Sequence, residues 1–172
     1  YDREILRIAS DESGISEELF RQADEKQHIP LFRIAREVYT GEVIPPDSDD
    51  FISNENLFRY QAKIIRELAA TRNCVIVGRC ADYVLRHRNP LRLFFYADIA
   101  DRMERCRKRN EEQKSLNHDV LRKIITQTDK NRSRYYEFLS GQKWGAKENY
   151  DLCINTSSAD TEKLLQCVIS LL

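Results

Sequence analysis

Apolar residues recur at helical spacing from the start of the chain. Ile5, Leu6, Ile8 and Ala9 form one stripe between Arg3 and Ser13, and Gly14 is placed to end that helix. Ser16 predicts the cap of a second helix, with Glu17 and Glu18 in its positive first turn. Residues 29–40 read as a further helix with Pro30 in the first turn. Periodicity then stops: Gly41, Pro45, Pro46 and the acidic residues between Asp47 and Glu55 predict a mobile surface loop over about 40–56, either a lid or an exposed connection. Leu57, Phe58, Gln61, Ile64, Ile65 and Leu68 resume the helical stripe up to about Arg72.

The pattern changes at Cys74-Val75-Ile76-Val77-Gly78, a short apolar run without alternation, which predicts a central parallel strand covered on both faces. A helix from Ala81 to about His87 leads through Asn89-Pro90 to a second strand, Leu91 to Ala97. Ile99, Met103 and Cys106 mark the buried side of the next helix, up to Asn110, and a long helix follows from about Asn117 to Leu139. A loop with Gly141 and Gly145 precedes a third strand, Asp151 to Asn155, and Ser158 or Asp160 caps the last helix. Strands alternating with helices imply right-handed crossovers and a three-layer α/β fold, a parallel sheet with helices on both faces. Ligands of such sheets bind beyond the carboxyl ends of the strands.

Composition narrows the function more than the fold. At 172 residues one domain, 1–172, is expected. Twenty-eight basic residues balance 28 acidic ones, which removes the net attraction that carries non-specific binding to nucleic acid or an anionic membrane. Five cysteines, Cys74, Cys80, Cys106, Cys153 and Cys167, show no CxxC pair and no histidine at zinc-ligand spacing. Neither a disulfide frame nor a metal site is expected, and a reducing cytoplasm fits best. His28, His87 and His118 lie in polar contexts and read as surface residues.

A few residues break the local pattern. Arg79 follows directly on the apolar run, at the carboxyl edge of the expected sheet, where its fork of donors either holds a phosphate or base carbonyl or closes a salt bridge with a neighbour such as Asp82. Arg132 falls near the centre of the stripe formed by Leu121, Ile124, Ile125, Thr128, Tyr135, Tyr136 and Leu139, where an unpaired charge is costly. Asp129, one turn earlier, is its nearest partner: the two form an internal ion pair, or Arg132 grips an anionic ligand while Asp129 orients it or contacts a base. Arg102, Arg105 and Arg109 share one flank of their helix and mark a lid-like region over about 102–116, either a solvated face or a means of neutralising polyphosphate. Trp144, beside Lys143 and between Gly141 and Gly145, pins its loop to the body or faces a base or phosphate.

Three segments together, Val75 to Asp82, Asp129-Lys130-Asn131-Arg132 with Tyr135-Tyr136, and Gln142-Lys143-Trp144-Gly145 with Tyr150-Asp151, resemble the cytidylate kinase-like family. The resemblance implies a P-loop kinase fold of the nucleoside monophosphate kinase type. It also implies transfer of the γ-phosphoryl group of ATP, with Mg2+, to a CMP-like acceptor. By the same resemblance Arg79, Asp82, Asp129, Arg132 and Asp2 contact the acceptor. Arg132, Arg105 and Arg109 serve the transfer, and Arg102 and Lys143 join the phosphate-facing lid group. Two departures stand out. Cys80 and Ala81 intervene before Asp82, where cytidylate kinases place Asp directly after Arg, and no GxxxxGK[ST] occurs in these residues. Since Tyr1-Asp2-Arg3-Glu4 reads as a strand exit running into a helix, the family's N-terminal strand and P-loop are expected to be missing ahead of Tyr1. A nucleotide- or anion-binding module without catalysis, and a kinase for another small acceptor, compete with the cytidylate kinase reading.

Overall fold

A computed structural model of the chain describes residues 1–25, 42–109 and 111–172. The helix expected over 29–40, with Pro30, and His28 lie outside the described residues. The elements in order are α1 (Arg3–Ser13), α2 (Glu17–Glu25), α3 (Asn54–Thr71), α4 (Ala81–Val84), β1 (Leu93–Tyr96), α5 (Ile99–Arg109), α6 (Glu111–Lys114), α7 (His118–Ser140), β2 (Leu152–Asn155) and α8 (Thr161–Ile169). Short 3-10 turns occupy Arg86–Arg88 and Lys147–Asn149. Among the described residues no helix is long and apolar enough to cross a membrane. The chain divides into two compact units, Tyr1–Pro90 with Arg134–Trp144, and Leu91–Ser133 with Gly145–Leu172.

The first unit is helical, and its core is the apolar stripes of its helices brought together. Ile5, Leu6 and Ala9 of α1, Phe20 and Ala23 of α2, and Leu57, Phe58, Ile64, Ile65 and Leu68 of α3 are buried with Val84, Leu85, Tyr136 and Leu139. Each large side chain so enclosed contributes roughly 1.5–3 kcal/mol of transfer free energy. Gly14 ends α1 in the left-handed conformation, φ 74°, with its N–H on the Ser10 carbonyl. The stretch expected as loop up to Asn56 gives way to helix earlier, because Ser53 caps α3 with its hydroxyl, accepting from the Asn56 N–H at 3.2 Å. Asn56 itself is buried and ties residues 42–53 to the helix, donating to the carbonyls of Ile44 (3.1 Å) and Phe51 (2.9 Å) and accepting from the Ile44 N–H at 2.7 Å.

The run Cys74–Val77 forms no strand and is not enclosed: Val75 is 79% and Val77 60% exposed. Among the described residues its ladder is one residue long. The Tyr1 amino group donates to the Val75 carbonyl at 2.6 Å and the Tyr1 carbonyl accepts from the Val77 N–H at 2.9 Å, the bonding of a single parallel bridge. The helix expected from Ala81 to His87 is interrupted at Leu85 and ends in the Arg86–Arg88 turn.

In the second unit β1 and β2 pair in parallel, Leu93 opposite Leu152 through Tyr96 opposite Asn155. Met103, Leu121 and Ile125 are buried between α5 and α7, with Ile99, Cys106 and Leu116 packed around them. Asp160, of the two caps considered, closes the N terminus of α8 by accepting from Glu162 and Lys163. The fold is thus mixed α/β, a small parallel sheet with many helices.

Candidate functional site

The second unit gathers most of the candidate cations. Arg102 lies in the first turn of α5, its N–H on the Asp98 carbonyl at 3.1 Å, and Asp129 lies on α7. Their side chains meet as a two-pronged pair, Nη1 to Oδ2 at 2.7 Å and Nη2 to Oδ1 at 2.8 Å. Both are about one quarter to one third exposed, so the pair is screened less than a surface one. The Asp129 hydrogen bond raises the Arg102 pKa above its ordinary value, against the opposing effect of burial.

Arg132 stands one turn further along α7, its Nη1 3.9 Å from Asp129 Oδ1. That is ion-pair range but too long for a hydrogen bond. The side chain is 63% exposed, which corrects the placement of Arg132 on a continuous buried stripe. Leu121 and Ile125 belong to the core of the second unit, Tyr136 and Leu139 to that of the first, and from Thr126 to Arg132 no residue of the helix is buried. Two guanidinium groups thus face one carboxylate, and the trio carries a net positive charge.

At the carboxyl ends of β1 and β2 a second arrangement appears. Arg105 donates from Nη1 to Thr156 Oγ1 at 2.9 Å and from Nη2 to the Thr156 carbonyl. Thr156 in turn donates to the Tyr96 carbonyl from N–H (2.8 Å) and hydroxyl (3.1 Å), and the Asp98 N–H donates to Ser157 Oγ at 2.8 Å. Thr156 and Ser157 escaped sequence reasoning. The signal was there, two hydroxyl residues directly after a parallel strand, at the edge where such sheets bind ligands. Arg109 is exposed at the end of α5. At the opposite end of the sheet Arg92 grips Asp151 with its backbone N–H and its guanidinium, which holds the carboxyl below its usual pKa.

The first unit holds Asp2, Arg79, Asp82 and Lys143. Gly78, Arg79 and Cys80 are three consecutive residues at positive φ, 71°, 59° and 54°, of which the last two strain an L side chain. Arg79 is 13% exposed, its Nη2 3.6 Å from Asp2 Oδ1. Asp82 accepts a 2.7 Å hydrogen bond from the Tyr136 hydroxyl, a partner that sequence reasoning missed because the two lie far apart along the chain. Lys143 is exposed, and Trp144 packs partly buried against the core of this unit. His87 and His118 are exposed, and all five cysteines are free thiols. Among the described residues no group of three or more His, Cys, Asp or Glu could hold a metal ion.

A mixed α/β chain with a cationic cluster beside a parallel sheet is compatible with binding a phosphorylated small molecule. The model of the cytidylate kinase-like family matches residues 1–158, and the chain belongs to that family. Helix α8 lies beyond the matched residues. Among solved structures, the crystal structure of an uncharacterized protein from Eubacterium ventriosum ATCC 27560 is similar, with a TM-score of 0.63 at 21% identity over 97% of this chain and 88% of that one. A likeness at that identity speaks for the fold. No curated protein matches the chain. Family membership suggests kinase-type activity.

Proposed function

We propose that the chain is a phosphotransferase of three-layer P-loop kinase type, which moves the γ-phosphoryl group of ATP to a nucleoside monophosphate, a CMP-like acceptor. The observation that carries the reading is the state of Arg132: it is 63% exposed, and the carboxylate of Asp129 beside it already has both oxygens bonded by Arg102. Its charge is therefore left for an external anion. Phosphoryl transfer asks a protein for positioning and charge neutralisation more than for covalent chemistry. Arg132 holds the acceptor's phosphate, and Arg109, exposed at the end of α5, is assigned to the transfer on family resemblance alone. Arg105 joins it only by leaving Thr156. In the first unit, Arg79, Asp82, Asp2 and Lys143 are assigned acceptor or phosphate contacts on family resemblance alone. A cytoplasmic location and a free nucleotide as partner belong to the same proposal.

ATP and Mg2+ enter by family analogy. The residues in hand do not fit Mg-ATP: no GxxxxGK[ST] occurs in the sequence, and no carboxylate cluster for a cation is found among the described residues. No step is derived through either group. The same observation favours a second reading, a nucleotide-binding module without turnover. Incubating the full-length protein with ATP, magnesium and CMP separates the two. CDP production, lost in Arg132→Ala, supports the kinase. Saturable CMP binding, lost in the same variant and without turnover on CMP, dCMP or UMP, supports the module. A panel of small alcohols and other phosphate acceptors checks for a kinase of different specificity.

A further inference from the structure

Arg102, Arg105 and Arg109 look equivalent on a helical wheel, but their surroundings differ. Arg102 spends both terminal nitrogens on Asp129, in the planar geometry that guanidinium and carboxylate share. We infer that Arg102 is a positioning residue and not a phosphate contact: by engaging Asp129 it stops that carboxylate from capturing Arg132. The inference rests on the reading above, in which Arg132 holds the acceptor's phosphate.

The argument is one of competition for two oxygens. Asp129 Oδ1 accepts from Arg102 at 2.8 Å while Arg132 waits 3.9 Å away, one helical turn along α7. Attraction at that distance biases the Arg132 side chain toward Asp129 without fixing it in a hydrogen bond. Without the Arg102 guanidinium, both oxygens become available to a group three residues along the same helix, a spacing at which side chains meet. Arg132 then closes onto Asp129, and its charge is cancelled where the anion should bind. Arg102 thus acts through Asp129 on Arg132. A lysine in its place supplies a charge but not the fork, and holds only part of the carboxylate.

The test is CMP binding by calorimetry on the full-length protein, with thermal melting of each variant to confirm folding. Arg102→Met is expected to weaken CMP binding by about tenfold or more, the size of an ordinary charge-assisted contact. Adding Asp129→Asn to it is expected to restore affinity to within about threefold of wild type, because the competing carboxylate is gone. Adding Glu104→Gln instead, which removes a carboxylate bonded to Lys108 on the same helix, is expected to restore nothing. If Arg102→Met does not fold, Arg102→Lys takes its place, with a smaller loss and the same rescue by Asp129→Asn. Wild-type protein that binds no CMP overturns the underlying reading. Wild-type protein that binds CMP, with Arg102→Met unimpaired or its defect not rescued by Asp129→Asn, overturns this inference alone.

Discussion

Replacing Asn56 by alanine tests how residues 42–53 are held. The Asn56 side chain makes three hydrogen bonds to that stretch, at 2.7, 2.9 and 3.1 Å, and is fully buried. A net worth of about 1 kcal/mol per bond gives about 3 kcal/mol. The better helix propensity of alanine, inside the first turn of α3, returns roughly 0.5 kcal/mol. Ile44 and Phe51 are only partly buried, so water reaches some of the abandoned backbone groups and trims the loss further. The expected cost is about 2 kcal/mol, and a urea midpoint lower by about 1 M with an unchanged slope reads it out. Amide exchange at Ile44 should accelerate along with it, since that N–H loses its acceptor. Asn56→Asp should be worse than alanine near neutral pH, because it turns a second acceptor toward two carbonyl oxygens. A loss below about 0.5 kcal/mol, the level of a surface substitution, would refute the idea that Asn56 anchors the stretch.

Two further outcomes are expected. Gly14 and Gly145 share φ 74°, but a Cβ on Gly14 meets nothing within 4 Å, whereas on Gly145 it meets Phe94 Cζ at 3.1 Å. Gly14→Ala should cost about 1–2 kcal/mol in chemical denaturation, the left-handed penalty, and Gly145→Ala measurably more; equal costs would show that Phe94 simply moves aside. Asp151 has its folded pKa lowered by the Arg92 hydrogen bonds. Its stabilising contribution is therefore present above the unfolded carboxyl value, near 4, and is lost as pH falls through the folded value. The stability gap between wild type and Asp151→Asn, followed by denaturation from pH 7 downward, should stay level to about pH 5 and close below about pH 4. A gap that stays open in acid would contradict the pairing.

Helices were legible wherever one stripe meets one core. Ile5, Leu6 and Ala9 of α1 and Leu57, Phe58, Ile64, Ile65 and Leu68 of α3 bury as their spacing requires. The strands at Leu93–Tyr96 and Leu152–Asn155 lie inside the expected segments, each trimmed by a residue or more. Cys74–Val77 looked like a strand by composition, but composition describes the residues and not the neighbour a ladder requires. Among the described residues the backbone bonded to Val75 and Val77 is that of Tyr1, a single bridge. Ser53 and Asn56 fall in the expected loop because polar side chains dominate the stretch. Asn56 is buried by bonding backbone, a role that hydrophobic periodicity does not register.

The misplacement of Arg132 has a more useful cause. A helical wheel assumes that a helix faces one core along its length, and α7 faces two. Leu121 and Ile125 serve one cluster, Tyr136 and Leu139 another, and the turns between them are left uncovered. A charge in the middle of the arithmetic stripe therefore sits in water. The desolvation cost of a buried Arg132 is not incurred, and exchanging water for phosphate at an exposed guanidinium asks far less than opening a buried ion pair. What needs explaining moves to its neighbours: a carboxylate one turn away that ought to neutralise it, and the second guanidinium on α5 that keeps that carboxylate occupied. The sign of charge at this spot depends on a contact between residues 27 positions apart, which no local pattern records.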